Sequence, residues 1–168
     1  MIKDSGDRTQ FETGAVRDMH GGKGRCDLLP LGTISKLHEA YINKKEISTL
    51  DIFDSLDGYI TTKNAKYIEN AILEFIQYRW ESFEDAMLEL AKHYEDGCRK
   101  YGQNNWRKGI PTHCYIDSAV RHYLKHQRGD KDECHDRAFI WNLVCLLWTI
   151  ENKPEMDDIN PEEYSGEQ

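Results

Sequence analysis

Hydrophobic side chains recur every three or four residues along the second half of the chain. This spacing places them on one helix face, first at Ala65, Ile68, Ala71, Ile72, Phe75 and Ile76. A second helix is expected to begin after the N-cap residue Ser82 and to end before Gly102. Two more are expected over 113–127 and 131–151. The pattern therefore predicts an all-α fold with no strand pair.

The remaining segments carry weaker patterns. Residues 1–30 contain five glycines and no hydrophobic period, which predicts an irregular, basic, glycine-rich arm that ends at Pro30. A short helix capped by Thr33 is expected over 33–42, and a helical piece over 51–56. The acidic residues after Pro154 predict a disordered tail over 154–168. Residues 1–153 then form a single helical domain.

Composition limits the class of protein. A chain of 168 residues that is 39% hydrophobic can bury one core. The formal net charge of −8 is unfavourable for binding nucleic acid, because that affinity depends largely on Lys and Arg. The longest apolar stretch, 138–150, is too short to span a bilayer. The five cysteines show no CxxC pairing and the start shows no signal peptide, so we expect a cytoplasmic protein.

Candidate chemistry lies on two of the predicted helices. Glu95 falls at the edge of an apolar stripe, and an inward carboxylate must be paired or bind a metal. A structural salt bridge is the alternative. On the last helix, Asp132, His135 and Asn142 share one stripe, and an acid and a His at this spacing can hold one cation. Asn142 is either a satisfied core group or part of the site.

The helix between them has a polar face that contains Asp117, Arg121, His122 and Lys125. This face is either solvated or a wall of the site, where Arg121 and Lys125 bind phosphate and Asp117 a metal. Inward acids on adjacent helices suit phosphoryl chemistry with Mg²⁺. Further positive charge is expected from Arg17, Lys23, Arg25 and Lys100.

Several longer motifs carry a family resemblance. They are TGAVRD at 13–18, GKGRCDLLP at 22–30, AKHYE at 91–95, KYG at 100–102, NW at 105–106, KGIP at 108–111, IDSAVRH at 116–122 and DECH at 132–135. Together they resemble the phage-associated dATP/dGTP diphosphohydrolase family, which is similar to MazG-like nucleotide pyrophosphohydrolases. Two departures from the pattern are Lys92 in place of the first acid of a Glu-x-x-Glu pair, and an apparent insertion over 32–82.

The resemblance implies a compact MazG-like helical bundle that works as a dimer or tetramer. It also implies that Mg²⁺ or Mn²⁺ is required for hydrolysis of a purine deoxynucleoside triphosphate to the monophosphate and pyrophosphate. By analogy, the product dGMP would be supplied for modified-purine phage DNA. Neither a nucleic-acid nor a membrane partner is expected.

The implied site has metal ligands, catalytic residues and substrate-binding residues. The expected metal ligands are Glu95, Asp117, Asp132 and His135, of which Glu95, Asp132 and His135 are also catalytic. Arg17, Lys23, Arg25, Lys100 and Arg121 are expected to bind the triphosphate. Tyr101 or Trp106 would stack on the base and Asn105 would recognise its edge, and His122 and Asn142 complete the substrate-binding set.

Two other functions remain open. The adjacent His135 and Asp136 suggest an HD-type phosphohydrolase, which needs an earlier His and a later Asp. The only later aspartates are Asp157 and Asp158, in the expected tail. The missing Glu-x-x-Glu instead favours a non-catalytic nucleotide-binding or assembly protein.

Overall fold

A computed structural model describes residues 8–18, 21–43 and 51–164. Seven α-helices and one short strand pair lie in these ranges. The helices are α1 (Leu31–Asn43), α2 (Ile52–Thr62), α3 (Lys66–Arg79), α4 (Phe83–Tyr101), α5 (Thr112–Arg128), α6 (His135–Asn152) and α7 (Pro161–Tyr164). The strands are β1 (Arg8–Gln10) and β2 (Val16–Asp18), and 3₁₀ turns occupy Cys26–Leu28, Asn105–Lys108 and Pro154–Met156. The prediction of a compact all-α fold is confirmed.

The core is built around α6, which is apolar on most of its circumference. Its side chains Phe139, Ile140, Leu143 and Val144 are fully buried. The helix packs against α3, α4 and α5. The ring of Phe139 lies 4.5 Å from that of Phe75 on α3, between ring centroids. A helix buried on several sides fits the nearly continuous hydrophobic stretch of 138–150.

The ends of α4 agree with the sequence prediction because they are set by local residues. Ser82 Oγ accepts a 3.1 Å hydrogen bond from the Asp85 N–H, which caps the helix. Gly102 ends it with φ of +87°. At α1 the predicted start is wrong. The helix already begins at Leu31, and Thr33 lies inside it with a buried side chain.

The expectation of no strand pair is also wrong. β1 and β2 pair antiparallel, with Arg8 opposite Asp18 and Gln10 opposite Val16. The Phe11 N–H donates to Ala15 O at 2.8 Å in the connecting turn, and Gly14 adopts a φ of +84° there. Strands of three residues are too short to show an alternating hydrophobic pattern. The pair lies in the arm and leaves the helical body unchanged.

The C-terminal segment is ordered over 154–164, so the expectation of a disordered tail is wrong there. Its Ile159 is buried in the core. The carboxylate of Asp157 pairs with Lys63, and the Lys63 amine also donates to Ile159 O at 3.1 Å. Composition predicted disorder from the acidic charge, but pairing with the helical body neutralises part of that charge. Residues 165–168 lie outside the described residues.

None of the helices in the described ranges is both long enough and apolar enough to cross a bilayer.

Candidate active site

A cavity of about 330 Å³ opens between α4, α5 and α6. Because α6 packs against both other helices, it forms the floor of this cavity. The loop from Gly102 to Ile110 closes one end. Five aromatic side chains line it, Tyr94, Tyr101, Trp106, Tyr115 and Trp141, and the polar lining includes Asn104, Asn105, Ser118 and Asn142. Aromatic walls with a few amide groups suit a flat heterocyclic ring.

The two aromatic residues predicted to stack on a base differ in exposure. Trp106 is buried, and its ring packs against Trp148 at 4.8 Å and Tyr94 at 5.7 Å between centroids. Tyr101 is 61% exposed at the last residue of α4. The Lys100 amine lies 5.0 Å from the centroid of the Tyr101 ring. Trp106 therefore forms a fixed wall, whereas Tyr101 offers an open face.

Asn142 contributes an oriented amide to the cavity. It is buried, and its Nδ2 donates a 2.8 Å hydrogen bond to Ala138 O one turn earlier on α6. The amide oxygen is therefore the atom left to accept a hydrogen bond from a ligand. Asn105 also lines the cavity, from the 3₁₀ turn that carries Trp106.

A second feature is a cluster of histidine and acidic residues where α6 begins. His135 is only 3% exposed. Its Nε2 lies 2.7 Å from Asp132 Oδ1, and its Nδ1 lies 3.0 Å from His122 Nδ1 on α5. Glu133 Oε1 lies 3.6 Å from the Nδ1 atom of each histidine. These donors are close enough to one another to hold a metal ion.

Asp132 is not on a helix, contrary to prediction. Helix α5 ends at Arg128 and is capped by Gly129, where φ is +83°, and α6 begins only at His135. Asp132 lies in the turn between them, where it still reaches His135. Hydrogen bonds from Lys125, at 2.8 Å, and from His135 lower the pKa of Asp132 well below its usual value. It therefore stays ionised at neutral pH.

His93 on α4 connects the cluster to the cavity. Burial, and next the charge of His122, lower the pKa of His93 to about 4, so its ring is neutral at pH 7. The ring centroid lies 5.6 Å from that of Trp141, which lines the cavity. Sequence reasoning missed His93, because its burial comes from packing between helices.

Glu95 is turned inward, as predicted, and the structure shows what it binds. It is 7% exposed and accepts hydrogen bonds from the N–H groups of Gly22, at 3.0 Å, and Gly24, at 2.8 Å. It also pairs with Arg99. The Gly22 hydrogen bond, with those of Gly24 and Arg99, lowers the pKa of Glu95 despite the cost of burial. These contacts fasten the arm to α4, and the role of Glu95 as a metal ligand stays a prediction.

The other predicted ligand, Asp117, belongs to neither group of possible metal ligands within the described ranges, and its ligand role stays a prediction. It forms an ion pair with Arg121 on the exposed face of α5. The predicted phosphate-binding residues are dispersed. Arg25 is paired with Asp27 at 2.7 Å, whereas Arg17 on β2 and Lys23 in the arm are exposed.

The structure thus brings the sequence-predicted residues together in two places. Asp132, His135 and His122 meet in the cluster, and Tyr101, Asn105, Trp106 and Asn142 meet around the cavity. Glu133 was missed, although each of the four residues 132–135 (Asp, Glu, Cys, His) is of a type that can bind a metal. Of the further residues that an HD-type site requires, only an earlier histidine, His122, lies beside His135. Asp136 binds Arg79, and Asp158 binds Thr112 and His113.

Residues 63–159 match the family model described as dATP/dGTP diphosphohydrolase, N-terminal. The match covers more than half of the chain and spans α3 to α6. The chain belongs to this family. The match begins at Lys63, inside the 32–82 segment, and the insertion expected there stays a prediction. The matched residues include the whole cluster and all of the cavity lining except Leu28. No curated protein and no solved structure matches the chain.

Proposed function

We propose that this protein is a metal-dependent diphosphohydrolase that converts dATP, dGTP or both to the deoxynucleoside monophosphate and pyrophosphate. The observation that supports it best is the position of the cluster beside the aromatic cavity. His135 of the cluster and Asn142 of the cavity lie about two turns apart on the same face of α6, and Trp141, which also lines the cavity, contacts His93. A nucleotide bound there has its base in the cavity and its phosphates toward the cluster.

The cavity residues account for binding of the base. Tyr101 presents an exposed ring for stacking, and the buried Trp106 and the half-buried Trp141 restrict the space to a flat ring. The amide oxygen of Asn142 accepts a hydrogen bond from an N–H of the base. Both adenine and guanine carry such a donor, so this contact alone leaves the choice between them open.

The charged residues account for binding of the triphosphate. Lys100 lies on α4 between two lining residues, Cys98 and Tyr101, and its side chain is exposed. Arg121 lies one residue before His122 on α5, and Lys125 is held beside the cluster by Asp132. These side chains neutralise phosphate oxygens without the extended basic surface that nucleic acid needs.

The reaction breaks the bond between the α-phosphorus and the oxygen that bridges to the β-phosphorus. Water supplies the oxygen that completes the monophosphate, and pyrophosphate leaves with the bonding electrons. A bound divalent ion would neutralise the triphosphate and lower the pKa of the attacking water. The residues fit such an ion because His135 is buried and both of its ring nitrogens have a potential acceptor nearby. Nδ1 lies near His122, and Nε2 lies near Asp132. Asp132 keeps that ring in place.

The test is phosphate-product analysis on a panel of dNTPs and NTPs, with divalent metal or EDTA. Monophosphate and pyrophosphate from dATP or dGTP, lost on chelation, support the proposal. Release of intact triphosphate would indicate HD-type chemistry instead, and binding without any product would indicate a non-catalytic protein. Asp132→Asn is expected to lower kcat by roughly 10- to 100-fold. The matched control Asp54→Asn changes an exposed carboxylate on α2 and is expected to leave the rate unchanged.

The dimer or tetramer and the supply of dGMP for modified DNA remain predictions from the family resemblance.

A further inference from the structure

Three donor atoms in the cluster form a nearly regular triangle. The two histidine Nδ1 atoms are 3.0 Å apart, and Glu133 Oε1 lies 3.6 Å from each. The circle through these atoms has a radius of about 2.0 Å, so one point just off their plane is ~2.1 Å from all three. That distance is the usual one between a transition-metal ion and imidazole nitrogen.

The donor types restrict which ion suits this triangle. Two imidazole nitrogens and one carboxylate on one side of an ion suit Mn²⁺, Fe²⁺, Co²⁺ or Zn²⁺, and they leave the opposite positions open. Mg²⁺ prefers carboxylate, phosphate and water oxygens in a strict octahedron. The triangle therefore disagrees with Mg²⁺ as the resident ion.

The hydrogen bond on the far side of His135 agrees with ligation through Nδ1. When Nδ1 binds an ion, the ring proton resides on Nε2, and that nitrogen lies 2.7 Å from Asp132 Oδ1. Carboxylates commonly orient metal-bound histidines in this way. Asp132 is in turn fixed by Lys125.

A site on the Nε2 side is less suitable. It would use Asp130 and Asp132, which also lie within reach of His135. However, Asp130 is paired with Arg128 and Asp132 with Lys125. An ion there would have to displace two basic side chains and the Nε2 proton.

We propose that His122, Glu133 and His135 bind a nitrogen-preferring divalent transition ion, and that Asp132 is a positioning residue that acts through His135. The inference deepens the proposed function and rests on it for the ion's role in turnover. The binding itself is measured without substrate.

The test is metal binding by the full chain after treatment with EDTA. Calorimetry and elemental analysis with Mn²⁺ or Co²⁺ alone are expected to give one ion per chain, and millimolar Mg²⁺ should not displace it. Ligand-field bands of bound Co²⁺ report the coordination number and geometry of the site. Equal affinity for Mg²⁺, or no binding of Mn²⁺ and Co²⁺, would overturn the inference.

Variants separate the ligands from the positioning residue. His122→Ala and Glu133→Gln are expected to weaken Co²⁺ binding by at least about 100-fold, and Asp132→Asn by roughly 10- to 100-fold. Glu163→Gln on α7 is the matched control and should bind normally. Because Glu133 is exposed, its variant is expected to fold even if His122→Ala does not. Unchanged Co²⁺ binding by Glu133→Gln would contradict the assignment.

The two proposals fail in different ways. One bound Co²⁺ per chain without hydrolysis of any nucleotide would leave the metal site standing and remove the proposed function. Hydrolysis of dATP or dGTP with Mg²⁺ alone, in a chain that binds no Co²⁺, would leave the proposed function standing and remove the metal site.

Discussion

The backbone N–H of Gly24 donates a 2.8 Å hydrogen bond to Glu95 Oε2 and thereby fixes the arm on α4. Gly24 adopts a φ of +88°, and a Cβ atom there would lie 2.9 Å from Lys92 N. The next residue continues the contact, because the Arg25 N–H donates to Ala91 O at 3.0 Å. The arm then reaches the cavity, which Leu28 helps to line.

Gly24→Ala is expected to detach the arm from α4, because the new Cβ would collide with backbone and the positive φ would be strained. Limited trypsin digestion should then cut faster at Lys23 and Arg25. Gly21→Ala is the matched control, since nothing lies within 4 Å of a Cβ there and its φ is not positive. Equal digestion of the two variants would refute this docking.

Glu95→Gln is expected to lower the free energy of unfolding by about 1–3 kcal/mol, because two N–H donors and Arg99 lose a buried carboxylate. Hydrogen exchange at the amides of Gly22 and Gly24 should quicken. Asp96→Asn, on the exposed side of the same helix, serves as the control and should change neither quantity appreciably. Unaltered exchange at the two glycines would count against Glu95 as the anchor.

His93 is expected to make the protein less stable in mild acid. Its pKa is about 4 in the folded state and about 6.5 when unfolded, so only the unfolded chain takes up the proton in between. This stability is therefore fully present above pH 6.5 and falls by about 2 kcal/mol by pH 5 and by about 3 kcal/mol by pH 4.

Urea unfolding at pH 7 and pH 5 measures this effect. His93→Gln should lose less stability between the two pH values than the parent chain does. Some loss should remain, because burial also lowers the pKa of His122 and His126. His38→Gln alters an exposed histidine on α1 and should behave like the parent. The same acid loss in all three proteins would exclude His93 as its source.

Asp158→Ala is expected to lower the unfolding free energy by about 1 kcal/mol and Tm by roughly 2–4 °C. Its carboxylate accepts the His113 N–H at 3.0 Å and caps the first turn of α5 from the C-terminal segment. Calorimetry can compare this variant with Glu155→Ala, an exposed acidic neighbour whose melting should not change. Identical Tm values for the two variants would mean that Asp158 does not stabilise α5.

Tyr101→Ala is expected to raise KM for the preferred dNTP by roughly 3- to 10-fold with little change in stability, because an exposed ring is lost from the cavity edge. Steady-state assays of pyrophosphate release provide the measurement. Tyr164→Ala removes an exposed ring on α7 and should leave KM unchanged. An unchanged KM for Tyr101→Ala would place the base elsewhere.

The sequence alone was informative where local residues decide the structure. The start and end of α4 depend on Ser82 and Gly102, and the buried face of α3 follows from its hydrophobic spacing. The hydrophobic spacing along α4 likewise predicted that Glu95 faces inward. Prediction failed where the partner was distant, as in the order of 154–164, which depends on Thr112 and Lys63.

The candidate site also contains contacts that local sequence predicts and contacts that depend on distant residues. Asp132 and His135 were paired correctly because they are three residues apart, although Asp132 lies before the helix rather than on it. The contact between His122 and His135, the third donor Glu133 and the burial of His93 depend on how α4, α5 and α6 pack. Helical periodicity describes which face of one helix a residue occupies. It carries no information on the turn between two helices or on their axial shift.

By itself, then, the sequence determined the all-α fold class, the main hydrophobic faces of the helices and a family resemblance carried by its motifs. Those properties depend on side chains within a few positions of one another. Only the tertiary structure decided that Glu95 holds the arm, that the C-terminal segment caps α5, and that two histidines and Glu133 converge. Each of these arrangements joins residues from separate segments, and the packing of the core around α6 fixes the distances between them.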